Sequence, residues 1–110
     1  GQRAFEEIDL QSYTQRVFSM FGGEKQLVAM QFENHLLDSV IDRFGTKNAS
    51  YSKVDDEHFS VSVEVELSNQ FYSWLLQFGE KAKIMHPKEV ADGMRKFLEK
   101  IITMYLPRNQ

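Results

Sequence analysis

The sequence predicts an α+β domain built on a four-stranded antiparallel sheet, and three observations carry the prediction. Phe59, Val61, Val63, Val65 and Leu67 alternate with Ser60, Ser62, Glu64 and Glu66. That is the period of a strand with one buried and one wet face. Phe71, Trp74, Leu75 and Phe78 recur at i, i+3, i+4 and i+7, the stripe of a helix that packs on such a sheet. Finally, 110 residues at 42% hydrophobic and 13% aromatic suffice for one core of ordinary domain size and are too apolar for intrinsic disorder.

The elements follow in order. Residues 1–8 read as a tether. Asp9 offers an N-cap to a short helix whose apolar face is Leu10, Tyr13, Val17, Phe18 and Phe21, and Gly22-Gly23 stops it. Lys25–Glu33 alternates Val28, Met30 and Phe32 with Leu27, Ala29 and Gln31, a strand apolar enough on both faces to be central. Asn34 is placed to cap a helix carrying Leu36, Leu37, Val40, Ile41 and Phe44, with Gly45 ending it. Residues 49–55 form a weaker edge strand diluted by Ser50, Ser52 and Lys53, and Asp55-Asp56-Glu57 makes the hairpin turn into the strong strand.

Ser68 is the N-cap of the Phe71–Phe78 stripe, and Gly79 closes it. Residues 82–86 make a short strand. Pro87 then starts a last, long helix with Val90, Met94, Phe97, Leu98, Ile101 and Tyr105 on its apolar side. Without the flanking helices the order is strand, helix, strand, strand, helix, strand, the split βαβ or ferredoxin-like arrangement. Right-handed crossovers put the first and third strands in the middle and the intervening helices on one face.

The charges exclude more than they assign. Thirteen Lys plus Arg against 16 Asp plus Glu give −3, and phosphate neutralisation needs a clustered cationic surface. On the open face, Ser60, Ser62, Glu64 and Glu66 stand where RNA-recognition sheets carry stacking aromatics. A small, faintly apolar patch of Leu27, Ala29, Ser60 and Ser62 suits either solvent or a docked domain. There is no Cys, which removes disulfides, thiolate metal sites and cysteine nucleophiles. No apolar run approaches the ~20 residues of a membrane span, and the N-terminus lacks a signal-peptide stretch. A cytoplasmic domain is the expectation.

Candidate chemistry is weak throughout. His35, His58 and His86 lack the i, i+4 spacing of a helical metal pair. The acidic turn 55–57 has neither the length nor the mid-loop glycine of a calcium loop. Glu64 and Glu66 share an open sheet face that gives little desolvation for acid–base work. The serines have no nucleophile elbow, and Gly22-Gly23 precedes no phosphate-loop signature. Copper-chaperone and acylphosphatase-like readings of the same topology lack a cysteine pair and an Arg-plus-Asn cradle. The expectation is no enzyme, no metal and no cofactor. The strongest remaining signal is apolar surplus. Tyr72 and Leu76 sit opposite the Phe71–Phe78 stripe, and Ile102 and Met104 flank the last one, so these four are candidate interface residues.

The string from Phe71 to Gly79, with Trp74-Leu75-Leu76-Gln77-Phe78-Gly79 at its centre, is followed by Ala82–His86, Pro87 and a long amphipathic helix. It resembles the WCX domain, the C-terminal extension that follows the WYL domain in bacterial helix-turn-helix transcription regulators. Residues 5–23 resemble the linker and short helix leading out of the WYL domain, and Leu27 to Phe32 the first strand of the extension. The resemblance divides the chain into that linker, residues 1–23, and a ferredoxin-like WCX domain, residues 24–110. It implies a regulatory or oligomerisation role, homodimers of the full-length protein, and DNA contact only through a helix-turn-helix domain that this sequence lacks. It also implies structural roles for the matching residues Trp74, Phe78, Gly79 and Pro87: Trp74 filling the core, Gly79 ending one helix and Pro87 starting the next. The alternative reading is a small-molecule sensor of the same fold.

Overall fold

A computed structural model describes residues 24–108. The expected helix over residues 9–21, and the linker role of residues 1–23, fall outside the described residues. Four strands, β1 (Lys25–Glu33), β2 (Ala49–Lys53), β3 (His58–Glu66) and β4 (Ala82–His86), alternate with three α-helices, α1 (Leu37–Phe44), α2 (Asn69–Leu76) and α3 (Lys88–Tyr105). The sheet order is β2-β3-β1-β4, and each neighbouring pair is antiparallel. The α+β class is therefore as expected, with the two most apolar strands in the middle and the diluted 49–53 segment at an edge.

Alternation makes the sheet two-sided. Val28, Met30 and Phe32 of β1 and Phe59, Val61, Val63 and Val65 of β3 all point to one face and are buried. All three helices close that face, through Val40 of α1, Phe71 and Leu75 of α2, and Val90 of α3. Register places Phe32 opposite Phe59, with their rings stacked at 5.6 Å. Each such side chain contributes about 1.5–3 kcal/mol on leaving water, so this one layer carries most of the driving force for folding.

The connections differ from expectation in instructive ways. Asn34 caps nothing. A 3₁₀ turn, Asn34–Leu36, precedes α1, and the Asn34 amide donates instead to the Asp56 carbonyl at 2.9 Å while its N–H donates to Glu57 at 2.9 Å. This fastens the start of α1 to the β2–β3 turn. Gly45 ends α1 as expected. Its φ of +73° favours glycine, its N–H donates to Ile41 at 2.7 Å, and its carbonyl accepts from the Tyr51 hydroxyl at 2.7 Å.

Strand β2 stops at Lys53, two residues early, because Asp55 turns its carboxylate onto the hairpin. It accepts from the Glu57 N–H at 2.8 Å and from His58 Nδ1 at 2.8 Å. The His58 hydrogen bond, then that of Glu57, holds the Asp55 carboxyl below its ordinary value. Because the folded-state pKa is depressed, the stabilisation is present above the unfolded carboxylate value and is lost as pH falls through the folded one. A carbon-13 titration of the side-chain carboxyls should find Asp55 below the ordinary aspartate value, and His58→Ala should return it toward that value.

Ser68 caps α2 as predicted, its hydroxyl accepting from the Phe71 N–H at 3.2 Å. The helix ends at Leu76, before Gly79. That glycine, at φ +59°, begins the 3₁₀ turn Gly79–Lys81 leading to β4. Pro87 lies one residue outside α3 rather than in its first turn, following a cis peptide bond from His86. Its carbonyl accepts from the N–H groups of Val90 and Ala91 at 3.1 and 3.3 Å, so it launches the helical ladder without belonging to it. Opposite β1, the register slips between Ala29 and Met30, leaving Met85 as a bulged residue of β4.

Candidate functional site

Among the described residues no element covers the second face of the sheet, called the bare face below, and its side chains are mostly small or polar. Ser50, Ser62, Ala29 and His86 form one cross-strand row, and Ser52, Ser60, Gln31 and Lys83 the next. Leu27, 64% exposed, stands opposite Glu64, and Lys25 opposite Glu66. The strand parity puts no aromatic side chain on this face, so base stacking has no platform there.

Trp74 and Phe78 sit at the margin of the core rather than in its centre. The Trp74 ring lies 5.2 Å from Phe44, 5.1 Å from Phe78 and 6.1 Å from Phe32, mostly edge to face. Phe78 reaches Phe32 at 5.8 Å. The Arg43 guanidinium lies 5.8 Å from the Trp74 ring and 5.6 Å from that of Phe44. The conspicuous Trp-Leu-Leu-x-Phe-Gly string thus joins α1 to α2 above Phe32, a structural position.

Tyr72 and Leu76 form no outward surface. The Tyr72 ring packs 5.7 Å from Phe97, its hydroxyl approaches the Val90 carbonyl at 3.5 Å, and Leu76 lines a groove with Ala91, Met94 and Leu98. The second apolar side of α2 is therefore covered by α3 of the same chain. Sequence reading missed the residue that permits this. Gly93 lies directly under Tyr72, and a Cβ there would overlap the tyrosine hydroxyl. A lone glycine inside an otherwise regular helical stripe was the available signal.

Ile102 and Met104 are exposed as expected, at 53% and 75%. So is Tyr105, at 80%, which the stripe had placed inward, and Leu106 beyond it. The reason is length. A five-residue strand spans about 16 Å and an 18-residue helix about 27 Å, so α3 outruns β4 and its last two turns have no sheet beneath them.

Among the described residues, polar groups do not converge on a reaction centre. A cavity of about 400 Å³ opens beyond the end of β2, lined among others by Arg43, Asn48, Glu64, Glu66 and Gln70. A second, about 320 Å³ and mostly apolar, lies between α2, β4 and α3. His35 pairs with Glu33 at 3.0 Å, His58 with Asp55, and His86 is exposed on the bare face. Among the described residues no group of three His, Asp or Glu could hold a metal ion, and no helix is long and apolar enough to cross a membrane.

Among the described residues, one sheet face is sealed by helices, no element covers the other, and the terminal helix overhangs β4. The family model of the WCX domain matches residues 25–102, from the first residue of β1 to within three residues of the end of α3, and the chain belongs to the WCX domain family. That family consists of regulatory domains of transcription regulators. No curated protein matches the chain.

Proposed function

We propose that this domain is the non-catalytic C-terminal regulatory module of a cytoplasmic bacterial WYL-type transcription regulator. In this reading it mediates self-association and couples that state, or an effector bound upstream, to a helix-turn-helix domain elsewhere in the protein. WCX membership supports the regulatory setting. The observation that carries self-association is the bare end of α3, where Ile102, Met104, Tyr105 and Leu106 are all more than half exposed along one overhang. Large apolar side chains left exposed so close together in the chain suit a contact site. Full-length protein should be a dimer by multi-angle light scattering, and Ile102→Asp with Met104→Asp should make it monomeric. Because both side chains are already exposed, the stability of the domain should change by no more than about 0.5 kcal/mol. A strictly monomeric full-length parent at high micromolar concentration overturns the dimer.

A small-molecule sensor is the second reading, favoured by the cavity of about 400 Å³ at Arg43 and Gln70, which is of ligand size. The readings separate on ligand-dependent stabilisation of this domain alone, which follows RT ln(1 + [L]/Kd) and which self-association does not require.

A further inference from the structure

The free edge of β4 runs beside the apolar groove, and ladder parity fixes what that edge presents. Residues of an antiparallel pair that exchange hydrogen bonds alternate along the strand. The Asn34 N–H donates to Glu57 and the Leu67 N–H to Glu24, bracketing the β1–β3 ladder. Even-numbered β1 residues therefore turn their backbone groups toward β3, and odd-numbered ones toward β4. Gln31 faces Lys83, so Lys83 directs its N–H and carbonyl at β1. Ala82 and Ile84 direct theirs away from the sheet, and no described residue pairs with them.

The side chains of Ala82 and Ile84, opposite Phe32 and Met30, lie on the helix side. There they border the groove of about 320 Å³ with Leu76, Met94 and Leu98. Lys83 points to the bare face, exposed and without an ion pair to any described residue. Lys81 and Lys88 flank the strand, and Glu80 at its head pairs with neither Lys81 nor Lys83. The β2 edge differs, since its Tyr51 hydroxyl is bound to Gly45 and the cavity beyond its end is lined by Arg43, Glu64 and Glu66.

We propose that the β4 edge is a strand-addition site for an extended acidic segment of another polypeptide. The segment pairs its backbone with Ala82 and Ile84. Alternate apolar side chains enter the groove, and the acidic side chains between them meet Lys83 on the bare face. Charge selects this occupant over a second copy of the chain. Two β4 strands paired about Ile84 would set each Lys83 diagonally across from the other, with Lys81 of each copy close behind, and like charges so placed repel.

The test uses the full chain, nitrogen-15 labelled, and an acetylated heptapeptide alternating glutamate with valine. Hydrogen exchange should slow at the Ala82 and Ile84 amides on adding peptide. Lys83→Glu, a surface change, should weaken binding about tenfold, as reversal of a rim charge does. The proposal fails if a peptide with lysine in place of glutamate binds equally well, if Lys83→Glu leaves the affinity unchanged, or if protection appears elsewhere or not at all. Protection of the two amides that grows with protein concentration and needs no peptide assigns the edge to a second copy and overturns it as well.

Discussion

Phe32→Ala should lower the stability of the domain by about 3–5 kcal/mol, a large share of the total, as read by the midpoint of urea unfolding followed by circular dichroism. Phe32 is fully buried in the central strand and meets three rings: Phe59 across the ladder, Trp74 from α2 and Phe78 just beyond its end. Truncation removes its transfer free energy and leaves a cavity that strand spacing and three surrounding aromatics prevent from collapsing. A domain of this size has only about 5–15 kcal/mol in hand. Phe32→Leu separates the two contributions, since it keeps most of the apolar volume and should cost well under half as much. A loss below about 1 kcal/mol for Phe32→Ala would mean that the aromatic cluster is not the centre of the core.

That cluster also explains what could be read from the residues alone. Strand β1 falls at Lys25–Glu33, the expected span, because period-two patterning is enforced by the sheet itself: slipping one residue would turn Val28, Met30 and Phe32 into water. The Phe59–Val65 stripe and the Ser68 cap were legible for the same reason, each being a local pattern with one physical outcome. Asn34 was misplaced because its amide finds the Asp56 carbonyl, 22 residues onward, and no local rule foresees a partner at that separation. Tyr105 failed on length, since a helical stripe continues in sequence whether or not a five-residue strand continues beneath it.

Tyr72 and Leu76 carry the most useful error. Two apolar sides on one helix do require two covering surfaces. The sequence does not say whose surfaces they are, and α3 of the same chain supplies the second. The candidate self-association surface therefore contracts from two helices to the far end of one, where Ile102 and Met104 lie. The alternation placed Leu27, Ala29, Ser60 and Ser62 together on the sheet's second face, where the register puts them. Which edge lies beside a groove depends on where α3 crosses β4, and that is a tertiary fact.

The crossing of α2 and α3 yields the sharpest test, because two principles predict opposite signs at one position. Helix propensity says that Gly93→Ala, in mid-helix, should stabilise by about 1 kcal/mol. Packing says the reverse. The new Cβ would overlap the Tyr72 hydroxyl and lie 3.2 Å from its Cζ, and the ring is hemmed in by Phe71 and Phe97. Overpacking costs about 1–3 kcal/mol, so Gly93→Ala should be a net loss of about 1 kcal/mol and Gly93→Val, with two further methyls, of about 3. Tyr72→Phe in the Gly93→Ala background should recover much of the loss, because it removes the nearest atom. The single Tyr72→Phe change gives up only a long hydrogen bond to Val90, at 3.5 Å, and should cost about 0.5 kcal/mol. A second readout does not depend on unfolding. Burial holds the Tyr72 hydroxyl above the ordinary tyrosine pKa, and an alanine that levers the ring outward should let it fall back, visible as an earlier phenolate absorbance step on titration to alkaline pH. If Gly93→Ala instead raises the unfolding midpoint and leaves that step in place, α3 does not seat on Tyr72, and the covering of the second face of α2 must be assigned elsewhere.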